Sequence, residues 1–282
     1  MQKRNIILIK QVILLLLSLC LFPEQTLAQG IIKNERALKT FTGIEASKNI
    51  EVFISQGDTI KVVVETAEDI QQSVVTEVSG ETLKLTTNDR SMSLTTQKAQ
   101  ISIYVTLPAL NHLLVTTNSR AVITSDFEID NLDLTVSSSG LIDIHNQLNI
   151  ADKLTINGKT KGKIISKDVV TAGAAGITVA SGGNVNMLLN ISSKLECMAI
   201  DNSIVSLTGK AEDALLSAKS KSELKLKHLK LERANVVATS SAIVYVNANE
   251  FLAATAADRA IINYSGKPRS ISKETTTGGK IK

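Results

Sequence analysis

Four aspartates, Asp126, Asp130, Asp133 and Asp143, stand close together in the chain, and paired carboxylates are what cleavage of a polysaccharide requires. Such chemistry needs two acids about 5 to 10 Å apart, or an acid and a base converging on one cleft. Lys163 lies one repeat along from Asp143 at what the spacing gives as the equivalent outward position. Aspartates near corners, however, are ordinarily turn formers. No second carboxylate stacks beside Asp143 in the next repeat, and aromatic residues that could seat a sugar make up only 3% of the chain, with no tryptophan. No catalytic residues are therefore expected.

The other reactive side chains are as scattered. His112, His145 and His228 have no metal spacing, and the chain lacks a His-Glu-x-x-His helix, a paired-cysteine motif, a calcium loop, a Gly-x-Ser-x-Gly elbow and a phosphate-cradling loop. Neither metal nor cofactor is expected. Cys197 falls on an inward position and reads as a small buried core residue. Nucleic acid is not an expected partner, because no stretch interleaves basic and aromatic side chains. Two sets of residues remain as a candidate binding face. Thr135, Thr155 and Thr178 precede successive inward anchors, a series continued by Ser217 and Thr255 and interrupted by Leu114, Met198 and Val237. Strand propensity alone favours threonine there, while a hydroxyl face would contact glycan or ordered water. Lys219, Lys221 and Lys225, with Lys227, form a basic stripe, and Lys159, Lys161, Lys163 and Lys167 an earlier one. Such charges keep an outer surface soluble, or meet an anionic glycan or lipopolysaccharide.

What would position these residues is a repeat. From Val115 a matching inward residue recurs at Val136, Ile156, Val179, Ala199, Ala218, Ala238 and Ala256, in steps of 21, 20, 23, 20, 19, 20 and 18. Around each anchor the apolar positions are two before, the anchor, six after and eight after, as in Leu134, Val136, Ile142 and Ile144. Apolar residues separated by one residue are the alternation of a strand with one buried face. Small or polar residues, such as Ser138-Ser139-Gly140 and Ser181-Gly182-Gly183, lie between the pairs and suit a bend. Two strands and a corner per coil predict an all-β, single-stranded, right-handed parallel β-helix of about eight regular coils, roughly 40 Å long at the usual strand spacing. A leucine-rich repeat has a similar period, but its Leu-x-x-Leu-x-Leu spacing is missing.

Segments such as Leu134-Thr-Val-Ser-Ser-Ser-Gly-Leu-Ile-Asp-Ile144 and Ile261-Ile-Asn-Tyr-Ser-Gly-Lys-Pro268 resemble the bacterial family called putative auto-transporter adhesin, head GIN domain. Phe41-Thr-Gly-Ile-Glu-Ala, the stretch Ile50 to Val64 around Gln56-Gly57-Asp58, and Val105-Thr-Leu-Pro-Ala-Leu110 resemble that family's start, so the likeness runs from about Phe41 to the end. It implies adhesion and carries no catalytic signature. The chain departs from the family's usual Gly-Ser-Gly-Asp corners at Ser220-Lys-Ser222 and Asp258-Arg-Ala260, so a role tied to those glycines does not transfer.

Residues 1–28 read as a secretory signal, with Lys3, Arg4 and Lys10 before an apolar core from Val12 to Phe22 and a small-residue cleavage site at Thr26-Leu27-Ala28. That core is too short for a membrane span, which needs about 20 residues. Leu17-Ser18-Leu19-Cys20 approaches a lipoprotein box, but Leu19 stands where a small residue belongs. The signal accounts for half of the formal net charge of +4. Residues 29–109 read as N-terminal strands and a cap, with a short helical turn at Glu68 to Gln72, residues 110–268 as the repeats, and residues 269–282 as a tail that covers the last coil or frays. The chain is thus expected to be an exported, non-catalytic envelope solenoid that binds a surface glycan or an envelope protein, or acts as a scaffold. The alternative is a carbohydrate-active β-helix enzyme.

Overall fold

The computed structural model describes residues 30–88 and 100–282; the signal segment, with its lipoprotein-like Cys20, lies outside the described residues. The described chain is a parallel β-solenoid whose regular rungs carry three strand segments, one more than the spacing implies. In one rung these are Leu141–Ile144 and the two halves of Leu148–Gly158, which is broken by a register shift between Ile150 and Lys153. The three segments give three sheet faces. Ile142 and Ile144 point inward from the first, Leu148 and Ile150 from the second, Leu154 and Ile156 from the third, and all are buried. Parallel pairing stacks Phe127, Leu148, Val170 and Leu189 in one inward column of the second face.

The corner between third and first faces has one construction throughout. Two consecutive residues take positive φ, as in Ser138 and Ser139 (47° and 63°), Ser220 and Lys221 (53° and 60°), and Asp258 and Arg259 (51° and 65°). Positive φ at both central residues defines a type I′ turn; the bonds from Gly140 N–H to Ser137 O (2.8 Å) and from Ser222 N–H to Lys219 O (3.2 Å) close it. The second turn residue also donates to the first turn residue of the next rung: Ser139 to Thr160 O, Lys161 to Ser181 O, Gly182 to Asp201 O, Asn202 to Ser220 O and Lys221 to Ser240 O, at 3.0 to 3.2 Å. The corner is therefore itself a hydrogen-bonded ladder.

From Ser119 to Ala260 the residue after each turn is small and buried. At Gly140 an added Cβ would stand 2.6 Å from Val115 O, and at Gly162 2.7 Å from Val136 O. Where serine takes this place its hydroxyl donates to the same kind of carbonyl, Ser203 to Val179 O at 2.9 Å and Ser222 to Ala199 O at 2.8 Å. The corners that depart from the glycine pattern thus keep the geometry without the glycine.

The register corrects one expected anchor. Val136 pairs with Gly158, and Gly158 with Val179, so the steps there are 21, 22 and 21, and Ile156 is the inward residue before the anchor. The N-terminal region is threaded out of order. Gly43–Ala46 and Ile50–Gln56 form a rung between Thr82–Thr87 with Ile101–Leu107 on one side and His112–Val115 with Arg120–Ile123 on the other, all parallel. Beyond it the direction reverses. Lys61–Ala67 runs antiparallel to Ile101–Leu107, Ile31–Glu35 to Lys61–Ala67, and Val74–Ser79 to Thr82–Thr87, with a 3-10 turn at Glu68–Ser73. At the other end Ser270–Thr275 and Lys280–Ile281 pair in parallel with the rung beneath, around a further corner at Thr277 and Gly278.

Candidate functional site

The outer surface of the third face carries two columns of side chains. One runs His112, Asp133, Thr155, Gly176, Glu196, Leu215, Asn235 and Ala253; the other runs Leu114, Thr135, Asn157, Thr178, Met198, Ser217, Val237 and Thr255. Thr135 and Thr178 therefore share a column with Asn157 between them, while Thr155 stands in the neighbouring one. The displacement follows from Gly158, which takes an inward place without an apolar side chain and hides the register from the sequence.

Toward the middle of this face two of the residues that interrupt the threonine series, Met198 and Val237, gather beside Leu215 of the neighbouring column. Met198, Leu215 and Val237 are 39%, 42% and 42% exposed, although they occupy outward positions on three successive rungs. They line a shallow depression of about 540 Å³ with Gly176 as a notch and Thr178, Ser217, Asn235, Glu196 and Lys219 among the polar groups around them. No atom lies within 4 Å of a Cβ built on Gly176, so packing does not demand the glycine. Glu196 is tied to Lys194 at 2.6 Å, and that hydrogen bond holds its carboxyl below the usual range. Cys197 points into the core beneath, where burial pushes its thiol up to about 12. An apolar floor with hydroxyl, amide and charged groups at its edge suits a partner of mixed polarity.

The lysines do not complete this surface as one stripe. Lys219 lies at its rim, Lys221 is the second residue of the corner turn, and Lys225 is on the first face, between Ser206 and Tyr245, 3.3 Å from Glu223. The aspartates are dispersed around the rung as well. Asp126 lies at the corner after the first face and accepts the Gln147 N–H at 3.0 Å; Asp130 is exposed at the register shift; Asp133 is on the third face and accepts the Thr135 hydroxyl at 3.1 Å. Asp143 is on the first face, where its in-register neighbour is Ile165; Lys163 pairs instead with Leu141.

Among the described residues Asp143 has a dense set of charged and polar neighbours, and spacing gave no sign of them. Its carboxylate is almost wholly buried, and Oδ2 receives Arg120 Nη2 at 2.6 Å and His145 Nε2 at 2.9 Å, with Lys167 Nζ at 3.6 Å. Arg120 Nη1 reaches Glu51 Oε1 at 2.6 Å. Four rungs are joined by these contacts. Burial works against the charged carboxylate, but hydrogen bonds from His145 and Arg120 outweigh it and hold Asp143 below the usual range. A carboxylate so occupied is suited to fastening rungs rather than to proton transfer. The register offered the only clue: Arg120 and Glu51 occupy one outward column, immediately beside that of Asp143.

Residues 40–153 and 147–268 each match the family described as putative auto-transporter adhesin, head GIN domain. Solved structures of the same fold include one described as a putative adhesin from Parabacteroides merdae ATCC 43184, 14% identical with a TM-score of 0.63 over 90% of this chain and 96% of that one. Another, from Parabacteroides distasonis ATCC 8503 and described as a putative lipid binding protein, is 18% identical with a TM-score of 0.62 over the same shares. A putative adhesin from the latter organism is 16% identical, with a TM-score of 0.58 over 90% of this chain and 97% of that one. Comparison with curated proteins gave no match. At these identities the likeness is one of fold.

Proposed function

The chain belongs to the putative auto-transporter adhesin, head GIN domain family, and on that premise we propose that it is an exported, non-catalytic solenoid of the bacterial envelope that holds a surface glycan or protein against its third face. The observation that carries this reading is the depression around Met198, Leu215 and Val237. Outward strand positions of a free-standing solenoid are ordinarily polar, and clustered apolar side chains on such a face mark a contact surface. The non-catalytic part is supported by the dispersal of Asp126, Asp130, Asp133 and Asp143 to different stations around the rung, and by Arg120 and Lys167, the ionic partners of Asp143.

The test is retention of the full exported chain on an array of bacterial and host glycans and envelope proteins, read for both binding and cleavage. The Met198→Glu/Leu215→Glu variant is expected to lose at least ten-fold in apparent affinity while its circular dichroism stays unchanged. Unaltered retention would remove the third face from the reading. Cleavage of any array glycan that disappears in Asp143→Asn would overturn the non-catalytic assignment.

A further inference from the structure

A second outer surface, separate from the third-face depression, has a different chemistry. In the rung that begins after Ser222 the corner between first and second faces is a tight turn, closed by Leu229 N–H to Leu226 O at 3.1 Å and pinned to the next rung by Leu226 N–H to Tyr245 O at 2.8 Å. Its central residues, Lys227 and His228, project side by side into solvent, and neither side chain has an ion-pair partner among the described residues. Lys225 precedes them on the first face, and Tyr245 stands next to Lys225 on the following rung. Lys225, Lys227, His228, Tyr245, Ser206 and Thr208 line a shallow dish of about 370 Å³; the Glu223 carboxylate at its edge is engaged by Lys225. Around the corner, on the second face, Lys210 and Lys230 are in register on adjacent rungs. Like charges directly opposite one another in a sheet are unfavourable, and no carboxylate lies within ion-pairing distance of either among the described residues.

We infer that this corner, Tyr245 with Lys225, Lys227 and His228 on one side and Lys210 with Lys230 on the other, binds an acidic polysaccharide whose chain runs along the solenoid axis. A tyrosine ring on a sheet face offers the flat apolar surface on which the C–H side of a pyranose packs. Ser206 and Thr208 offer hydroxyls to its ring substituents, and the cations meet its carboxylate or sulfate groups. The spacing agrees, because Lys210 and Lys230 lie on adjacent rungs, about 4.8 Å apart and close to the length of one pyranose residue, so a uronate chain lying along the stack would present successive anionic groups to them. A phospholipid surface would not use the tyrosine ring in this way, and a single ring does not make the series of stacking platforms used by single-stranded nucleic acid.

The experiment is calorimetric titration of the full exported chain with polygalacturonate, with neutral dextran, with vesicles of phosphatidylglycerol and with single-stranded DNA. Polygalacturonate is expected to bind and dextran not to bind. Lys227→Gln/His228→Gln and Tyr245→Ser are each expected to weaken polygalacturonate at least ten-fold, whereas Lys159→Gln/Lys161→Gln, which removes charge from the other corner, should change it less than two-fold. Absence of polygalacturonate binding, equal loss in the Lys159/Lys161 control, no loss in Tyr245→Ser, or tighter binding of vesicles or DNA would each overturn the inference. The Met198→Glu/Leu215→Glu variant should still bind polygalacturonate, so failure of this site and failure of the third-face reading give different results.

Discussion

Asp143 shows how much one side chain can do in a stack of rungs. Its neighbours reach it from the rungs on either side, so its loss would loosen a join rather than a single strand. Breaking a buried ion pair costs roughly 3 to 5 kcal/mol, but Arg120 and His145 are partly solvated, and screening reduces the expected loss for Asp143→Asn to about 1 to 2 kcal/mol. Chemical denaturation would measure it. The pH dependence has a definite sign. The folded carboxyl lies below its ordinary range, so its contribution is present above the unfolded value and disappears as pH falls through the lower folded value. Wild type should therefore lose its advantage over Asp143→Asn on acidification below about pH 4, near the ordinary carboxylate range, and a constant gap between the two across that window would contradict this account. The sequence alone did not reveal the cluster: Glu51 and Arg120 are 69 residues apart, and Glu51 sits in the out-of-order rung.

At the scale of the element, the type I′ corner explains which faces were legible. It always spends two residues at positive φ, so the inward pairs on either side of it keep fixed offsets, and simple counting finds Leu134, Val136, Ile142 and Ile144. The next corner has no constant length: the inward Leu148 follows Ile144 by four positions, but Leu189 follows Met187 by only two. The second face therefore drifts against the anchor and escapes a fixed-period count, and the inward Gly158 hides the shift that displaces Thr155. The corners also predict mutational behaviour. A non-glycine residue in the left-handed region costs on the order of 1 kcal/mol, which cross-rung and turn hydrogen bonds offset here. Lys221→Gly should leave the melting temperature unchanged or raise it, and Lys221→Val, whose branched side chain resists positive φ, should lower stability by about 1 to 2 kcal/mol. Ser222→Val should be worse, because it loses the hydroxyl bond to Ala199 O and crowds a closed corner, at a cost of about 2 to 3 kcal/mol. Equal melting temperatures for Lys221→Gly and Lys221→Val would show that turn strain is not limiting.

For the whole molecule, stability is a sum over neighbouring rungs rather than a property of one central core. Asn184 pairs with Ile204 and Gly183 occupies the same corner station as Ser203, so removing residues 184–203 deletes one complete period and rejoins the chain in register. That deletion is expected to fold, with its long axis shorter by about 4.8 Å in small-angle scattering and the same strand signature in circular dichroism. Removing only residues 184–194, about half a period and an odd number of residues, places the inward Leu195, Cys197 and Ala199 at outward stations and should give no cooperative unfolding transition. A folded half-period deletion would contradict the modular account.

The threading of the first rung has a consequence in time. Ile50–Gln56 lies between Ile101–Leu107 and Arg120–Ile123, so it cannot be sealed by adding strands in the order the chain supplies them. Every later rung finds its template about one period back, whereas this one waits for a partner from roughly fifty residues ahead. Closing that long loop is the slow, entropically costly step, and the regular rungs then close as a zipper that needs a finished end to start from. Pulse-labelled hydrogen exchange should then find Gly43–Ala46, Ile50–Gln56, Ile101–Leu107 and Arg120–Ile123 protected before Ile204–Ala218, making the irregular tip the seed of the regular rod.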